Sequence, residues 1–179
     1  MTAYVALLRA INLGPHQKIA MTDLRAFAEN IGLSSPRTIL QTGNLLFESA
    51  GSAAKLEAAL EKEAAASLGL ETPMILRSAA QWAKLIADNP FQQEAKAAPN
   101  RLVVMPLKAA ATAAKVAALC AAHKGPEAIA VRGATLYIVY RDGIGGSKLT
   151  NKKIESALGV LGTGRNWNTA LKIAAMLSV

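Results

Sequence analysis

The alternation of apolar and polar positions divides the chain into two runs of elements in similar order. Tyr4 to Arg9 reads as a short apolar strand, followed by a loop through Asn12, Leu13, Gly14, Pro15 and His16. Leu24, Phe27, Ala28 and Ile31 recur at helical spacing, which predicts a helix from about Thr22 that stops at Gly32. Thr38 to Gln41 and Leu45 to Glu48 form a predicted hairpin turned at Thr42-Gly43-Asn44. Ser52 is placed to cap a long helix through Leu68, closed by Gly69, and Thr72 to Arg77 reads as a strand. The first run is therefore βαββαβ.

A connecting helix follows, carrying Trp82, Leu85 and Ile86 and opened by a capping box of Ser78 with Gln81. Asn89-Pro90 ends it, and a polar linker runs to Pro99-Asn100. The pattern then restarts with a strand at Leu102 to Met105. A helix over residues 109 to 124 follows, with Val116, Leu119, Cys120 and His123 on one stripe. Ala128 to Val131 and Leu136 to Tyr140 form a second hairpin turned at Gly133. A helix from Ser147 to about Leu158 and a last one from about Asn168 complete the chain, so the second run ends in a helix where the first ends in a strand. Thr42-Gly43-Asn44-Leu45-Leu46-Phe47 lies over Arg132-Gly133-Ala134-Thr135-Leu136-Tyr137 at a constant offset. The expected fold is α+β: a duplicated ferredoxin-like βαββα(β) half with mainly antiparallel sheets. The halves are residues 1–88, with the connecting helix, and residues 101–179, joined by a linker at 89–100.

Composition narrows the class. Hydrophobic residues make up 52% of the 179 positions, which excludes disorder, and no apolar run reaches the ~18 residues of a membrane-spanning helix. The first residues run straight into a strand without the features of a signal peptide, and Cys120 is the single cysteine. A cytoplasmic location without a membrane partner is expected, and oligomeric state stays open. The net charge is +8, and it is unevenly held. Residues 1–90 carry eight Lys/Arg and eight Asp/Glu, whereas residues 91–179 carry twelve and four. That asymmetry points to an anionic partner, a nucleic acid or a nucleotide.

The candidate chemistry lies in the basic half. Gly143-Ile144-Gly145-Gly146-Ser147-Lys148 fails as a P-loop because Asp142 and Ser147 stand where glycines are needed. It remains a glycine loop before a helix, with Ser147 as N-cap and Lys148 in the first turn, or else a plain connection whose glycines supply positive φ. In Arg165-Asn166-Trp167-Asn168-Thr169 one asparagine serves as N-cap and Trp167 as a core anchor. Capping leaves Arg165 and the other asparagine unexplained. Arg9 and Asn12, with Lys18 shortly after, end the first strand; Arg9 is either a solvated rim residue or part of the same site. Asn44 beside Gly43 is a turn residue.

Catalytic signatures are thin. His16, His123 and Cys120 are too scattered for zinc, His123 continues an apolar stripe, and no Gly-x-Ser-x-Gly elbow occurs. Ser52-x-x-Lys55 lacks companion motifs, and Asp142 flanks a turn. No metal and no cofactor are expected. The expected ligand set is thus Arg9, Lys18, Lys148 and Arg165 for charge, with Asn12, Asn166, Asn168, Ser147 and Thr150 for orientation. Alternatives are an enzyme acting on a small phosphorylated or carboxylated metabolite and a protein-interaction module whose motifs are structural.

The segments Leu7-Leu8-Arg9-Ala10-Ile11-Asn12, Thr42-Gly43-Asn44, Ser147-Lys148-Leu149-Thr150 and Arg165-Asn166-Trp167-Asn168-Thr169 resemble a widespread bacterial family, domain of unknown function 1697. The family pattern has glycine at the positions of Ala10 and Pro15 and serine at that of Thr42. Ala10 and Pro15 are therefore expected to stiffen the first loop. The resemblance implies an α+β fold and carries no activity with it.

Overall fold

Val5, Ala6, Leu7 and Leu8 have no exposed surface, which marks the first strand as the centre of a sheet rather than its rim. The computed structural model describes residues 1–13 and 17–178 and bears this out. Strand β1 (Thr2–Leu8) lies between β3 (Asn44–Ser49) and β4 (Met74–Ser78), with β2 (Ser34–Ile39) outside β3. Every pairing is antiparallel; Val5 faces Leu46 on one side and Arg77 on the other. Tyr4, Ala6 and Leu8 share one face with Leu45, Phe47, Met74 and Leu76, as the two-residue period of a strand requires. Helices α1 (Met21–Asn30) and α2 (Ala53–Leu68) cover that face through Leu24, Phe27, Leu60 and Ala64. Tyr4 and Phe47 are cross-strand partners with ring centroids 5.8 Å apart.

The outer edge of β4 is closed by side chains. Helix α2 presents Glu61 and Glu57, one turn apart, to the strand. The Met74 amide donates to Glu61 Oε1 at 2.7 Å and the Leu76 amide to Glu57 Oε2 at 2.9 Å. A sheet edge with bare N–H groups would otherwise offer itself to another chain. Glu57 also faces Arg77, whose pKa burial lowers and the glutamate's charge partly restores.

The first turn shows why certain residues stand where they do. Gly43 has φ +76, and a Cβ there would lie 2.5 Å from Ile11 Cδ1, so only glycine fits. Asn44 is buried and donates to Ile39 O and to Thr42 Oγ1, a bond that serine at 42 would serve equally. Ala10, where the family pattern has glycine, sits at φ 55. The left-handed region costs a residue with a Cβ ~1 kcal/mol. Gly14, Pro15 and His16 lie outside the described residues, and with them the stiffening expected of Pro15 and the remainder of that loop.

Helix α3 (Ala79–Ala87) opens with the expected capping box: Ser78 N donates to Gln81 Oε1, and Gln81 N to Ser78 Oγ, at 2.9 and 3.2 Å. The stretch expected as a polar linker holds a short helix, α4 (Gln92–Ala97), and a 3-10 turn at Pro99–Arg101. Asn89 Oδ1 accepts from the Phe91 amide and starts this segment.

In the second sheet, β5 (Leu102–Pro106) lies between β7 (Thr135–Val139) and β8 (Arg165–Asn166), with β6 (Ala128–Arg132) outside β7. The pairing is again antiparallel and repeats the strand order of the first sheet. The second run therefore does contain a fourth strand, contrary to the sequence reading; two residues are too few to show a period of two. Helix α5 (Ala113–Ala122) is capped by Thr112, and α6 (Asn151–Leu158) by Thr150. With Ile154 and Leu158 of α6 and Leu119 of α5, the strands' Val103, Met105, Leu136 and Ile138 form the core. Cys120, expected on the apolar stripe of α5, is exposed. Helix α7 (Trp167–Leu177) ends the chain. By contacts the chain divides into two units, Met1–Lys84 with Ile173–Val179 and Leu85–Lys172.

Two predictions follow from these contacts. Replacing both Glu57 and Glu61 by alanine lowers unfolding free energy by about 2–4 kcal/mol, from two charge-assisted bonds to backbone amides. Urea denaturation measures it, and an unchanged midpoint would show that the edge bonds contribute nothing. Ala10→Gly raises stability by roughly 0.5 kcal/mol, because relief of the left-handed strain slightly exceeds the added chain entropy; a loss of stability would contradict that account.

Candidate functional site

The register Ala128↔Val139 brings two chain connections side by side. One runs from the end of α5 through His123-Lys124-Gly125-Pro126-Glu127 into β6. The other runs from Tyr140 after β7 through the glycine loop to Thr150 before α6. Between them lies a cleft of about 670 Å³, within the size range of small-ligand pockets. Its walls are aliphatic where they meet the core, at Leu119 and Leu149, and polar where the two loops face each other.

Glu127 ties the two connections together. Its Oε2 lies 2.8 Å from His123 Nε2, and its Oε1 accepts from the Ser147 hydroxyl. Ser147 Oγ in turn accepts from the Leu149 amide at 3.0 Å. The carboxylate side chain is only 5% exposed, the imidazole 13%. Gly125 makes the approach possible, since a Cβ there would lie 2.7 Å from His123 Cε1. The Ser147 hydrogen bond, more than any other cause, holds the Glu127 pKa below the usual carboxylate value; burial opposes it and His123 assists it. Tyr140, whose hydroxyl donates to Leu149 O at 3.3 Å, is pushed up to about 12 by burial and then by the Glu127 charge.

Three lysines, Lys124, Lys148 and Lys153, line the same cleft against Glu127 and Asp142, leaving a positive excess. Lys152 and Lys153 stand in the first turn of α6, which has no acidic residue to balance the positive end of the helix. The Ser147–Glu127–His123 chain is not a Ser–His–acid triad. The hydroxyl meets the carboxylate and not the imidazole, and a carboxylate with a lowered pKa is a weak base toward an alcohol. Among the described residues no group of three or more His, Cys, Asp or Glu could hold a metal ion, and no helix is long and apolar enough to cross a membrane.

Of the residues singled out in the sequence, Ser147 and Lys148 line this cleft. Ser147 is not the helix N-cap. The helix begins at Asn151, and Thr150 caps it by accepting from the Lys153 amide at 3.3 Å. Ser147 is drawn off by Glu127, which leaves Lys148 in the loop rather than in the first turn. Asn12 and Lys18 line a separate, smaller cleft in the first unit, about 370 Å³, where Asp23 stands with Lys18. The Asn12 side chain holds its own loop together there: Nδ2 donates to Ile19 O and Gln41 O, and Oδ1 accepts from Ile19 N.

Arg9, Thr150, Arg165, Asn166 and Asn168 line neither cleft. Arg9 O accepts from the Thr72 hydroxyl, and its amide donates to Pro73 O. Arg165 is 7% exposed, opposite Val104 in β8, and donates to Thr163 Oγ1 and Gly164 O. Burial lowers its pKa to about 10. Asn166 accepts from the Thr169 amide as the cap of α7, Trp167 is buried, and Asn168 is exposed. Glu127 went unmarked in the sequence, although it is one of only four acidic residues in the basic half.

The chain belongs to the family described as a protein of unknown function, DUF1697, whose model matches residues 1–137. The glycine loop and the Arg165–Thr169 segment lie beyond the matched stretch. The fold is similar to that of the conserved bacterial protein SP0830 from Streptococcus pneumoniae, at a TM-score of 0.74 and 23% identity, covering 98% of each chain. Among curated proteins none matches the chain.

Because the Glu127 pKa is lowered in the fold, the stabilisation it brings is complete above the ordinary carboxylate range and is lost as pH falls through the lowered value. Ser147→Ala removes the main cause and moves the Glu127 midpoint up toward the ordinary value. Carbon-detected NMR titration of the glutamate carboxyls reads this directly; an unmoved midpoint would show that the hydroxyl does not hold the carboxylate.

Proposed function

We propose that the second unit is a binding module for a small phosphate-bearing ligand, seated in the cleft between the α5–β6 connection and the glycine loop. One observation carries this reading: Lys124, Lys148 and Lys153 converge on a single cleft. Two further features support it. The first turn of α6 carries two lysines at the positive end of a helix, an arrangement that an anion would offset. Three of the cleft's other polar groups, Glu127, His123 and Ser147, satisfy one another, which suits a scaffold better than a proton-transfer centre. A concave site of this size accommodates a nucleotide-sized molecule rather than a long strand.

The shared strand order of the two sheets, with a positive-φ glycine in each hairpin at Gly43 and Gly133, supports reading both as copies of one ferredoxin-like unit. On that reading the second copy acquired the site by lengthening the connection between β7 and α6.

Calorimetric titration at low ionic strength tests the site. Inorganic phosphate binds the wild-type chain, and the double variant Lys148→Ala, Lys153→Ala weakens binding about tenfold, the order expected from losing two charge-assisted contacts at an exposed rim. A single-stranded oligonucleotide gains little over phosphate. Equal phosphate affinity in wild type and variant would contradict the assignment. Much tighter, strongly salt-dependent oligonucleotide binding would move the function to an extended nucleic-acid surface.

A further inference from the structure

The cleft that gathers the three lysines is lopsided. Its charges stand on the loops and at the start of α6, whereas its inner wall is built from Leu119 and Ala122 of α5, Leu149, and Ala157 of α6. Leu119 and Leu149 belong to the hydrophobic core of the unit, and the exposed Ala122 and Ala157 continue the apolar wall outward. Apart from the His123 imidazole, which is held edge-on by Glu127, no aromatic ring lines the cleft. Nucleobases are ordinarily held by stacking on aromatic side chains, and the single imidazole here is the smallest of those platforms. An aliphatic wall behind a rim of cations fits a different molecule.

We propose that the ligand of this cleft is an anion with an aliphatic body, an alkyl or acyl phosphate, rather than a nucleotide. The inference rests on the anion-site reading above and adds the nature of the ligand's other end. The head group lies among Lys124, Lys148 and Lys153. The chain lies along Ala122, Ala157 and Leu119, displacing water from surface that offers it no hydrogen bonds. Each methylene fully withdrawn from water tightens binding by about fourfold, so partial burial of a six-carbon chain yields tenfold or more.

Titration of the full chain with inorganic phosphate, hexyl phosphate and adenosine monophosphate separates the possibilities. Hexyl phosphate binds at least tenfold more tightly than inorganic phosphate and more tightly than adenosine monophosphate. Ala122 and Ala157 are exposed on helices, where glutamine is readily accommodated. Ala122→Gln with Ala157→Gln lowers hexyl phosphate affinity about fivefold, leaves inorganic phosphate unchanged, and retains the wild-type circular dichroism spectrum. If the lysines govern phosphate binding but hexyl phosphate gains nothing, or adenosine monophosphate binds as tightly, the aliphatic ligand is overturned and the anion site stands. If no probe responds to replacement of Lys148 and Lys153, both fall together. If the glutamine pair leaves hexyl phosphate affinity unaltered, the chain does not lie on this wall, and the inference is overturned.

Discussion

Glu127 is the group on which the candidate site depends. A carboxylate this buried has to be satisfied, and it is satisfied from both connections, by Ser147 on one side and His123 on the other. The contact fixes the distance between the α5–β6 turn and the glycine loop, and so sets the width of the cleft. It also decides where α6 begins. With its hydroxyl committed to Glu127 and its oxygen accepting from Leu149, Ser147 cannot cap the helix, and Thr150 takes that place. The lysines reach the cleft because of that arrangement: Lys148 stays in the loop and Lys153 falls in the first helical turn.

The sheets supply the rigid frame. Glu127 precedes β6, and Tyr140 follows β7, so the antiparallel register of one hairpin presents both ends of the cleft at once. The first unit uses the same kind of interaction for a different purpose. There Glu57 and Glu61 close a strand edge instead of joining two loops. In both places a carboxylate from one element satisfies donors on another, and the charge-assisted bonds make the join specific.

Much of the fold was legible because most of its strands and helices carry strong periods. The short apolar run Tyr4 to Leu8 and the helical spacing Leu24-Phe27-Ala28 need no tertiary context to be read, and Ser78 with Gln81 declared its capping box. Where the period fails, one strand was missed and another, expected from Thr38, was started too late. β8 is two residues long and exists only because β5 has a free side for it, and β2 begins in polar residues at Ser34 because it is an outer strand. The site was half legible. Ser147 and Lys148 were found through the glycines around them, but their setting was misread, since local chemistry favours a serine cap and only the fold brings Glu127 within reach. Arg165 stood out because helix capping does not account for it; its partners, Thr163 and Gly164, are sequence neighbours whose role no pattern announces. Asn12 was placed at the end of the first strand, and its partners Ile19 and Gln41 come from the loop and from the hairpin turn.

The measurement that bears most directly on this account is a backbone-amide NMR titration of the isotopically labelled chain with inorganic phosphate. The account predicts that the shifts concentrate at Lys124, Gly143, Gly146, Ser147, Lys148 and Lys153, with the smaller cleft at Asn12, Lys18 and Asp23 unmoved. Shifts centred on the smaller cleft, or spread evenly over the basic surface, would contradict it.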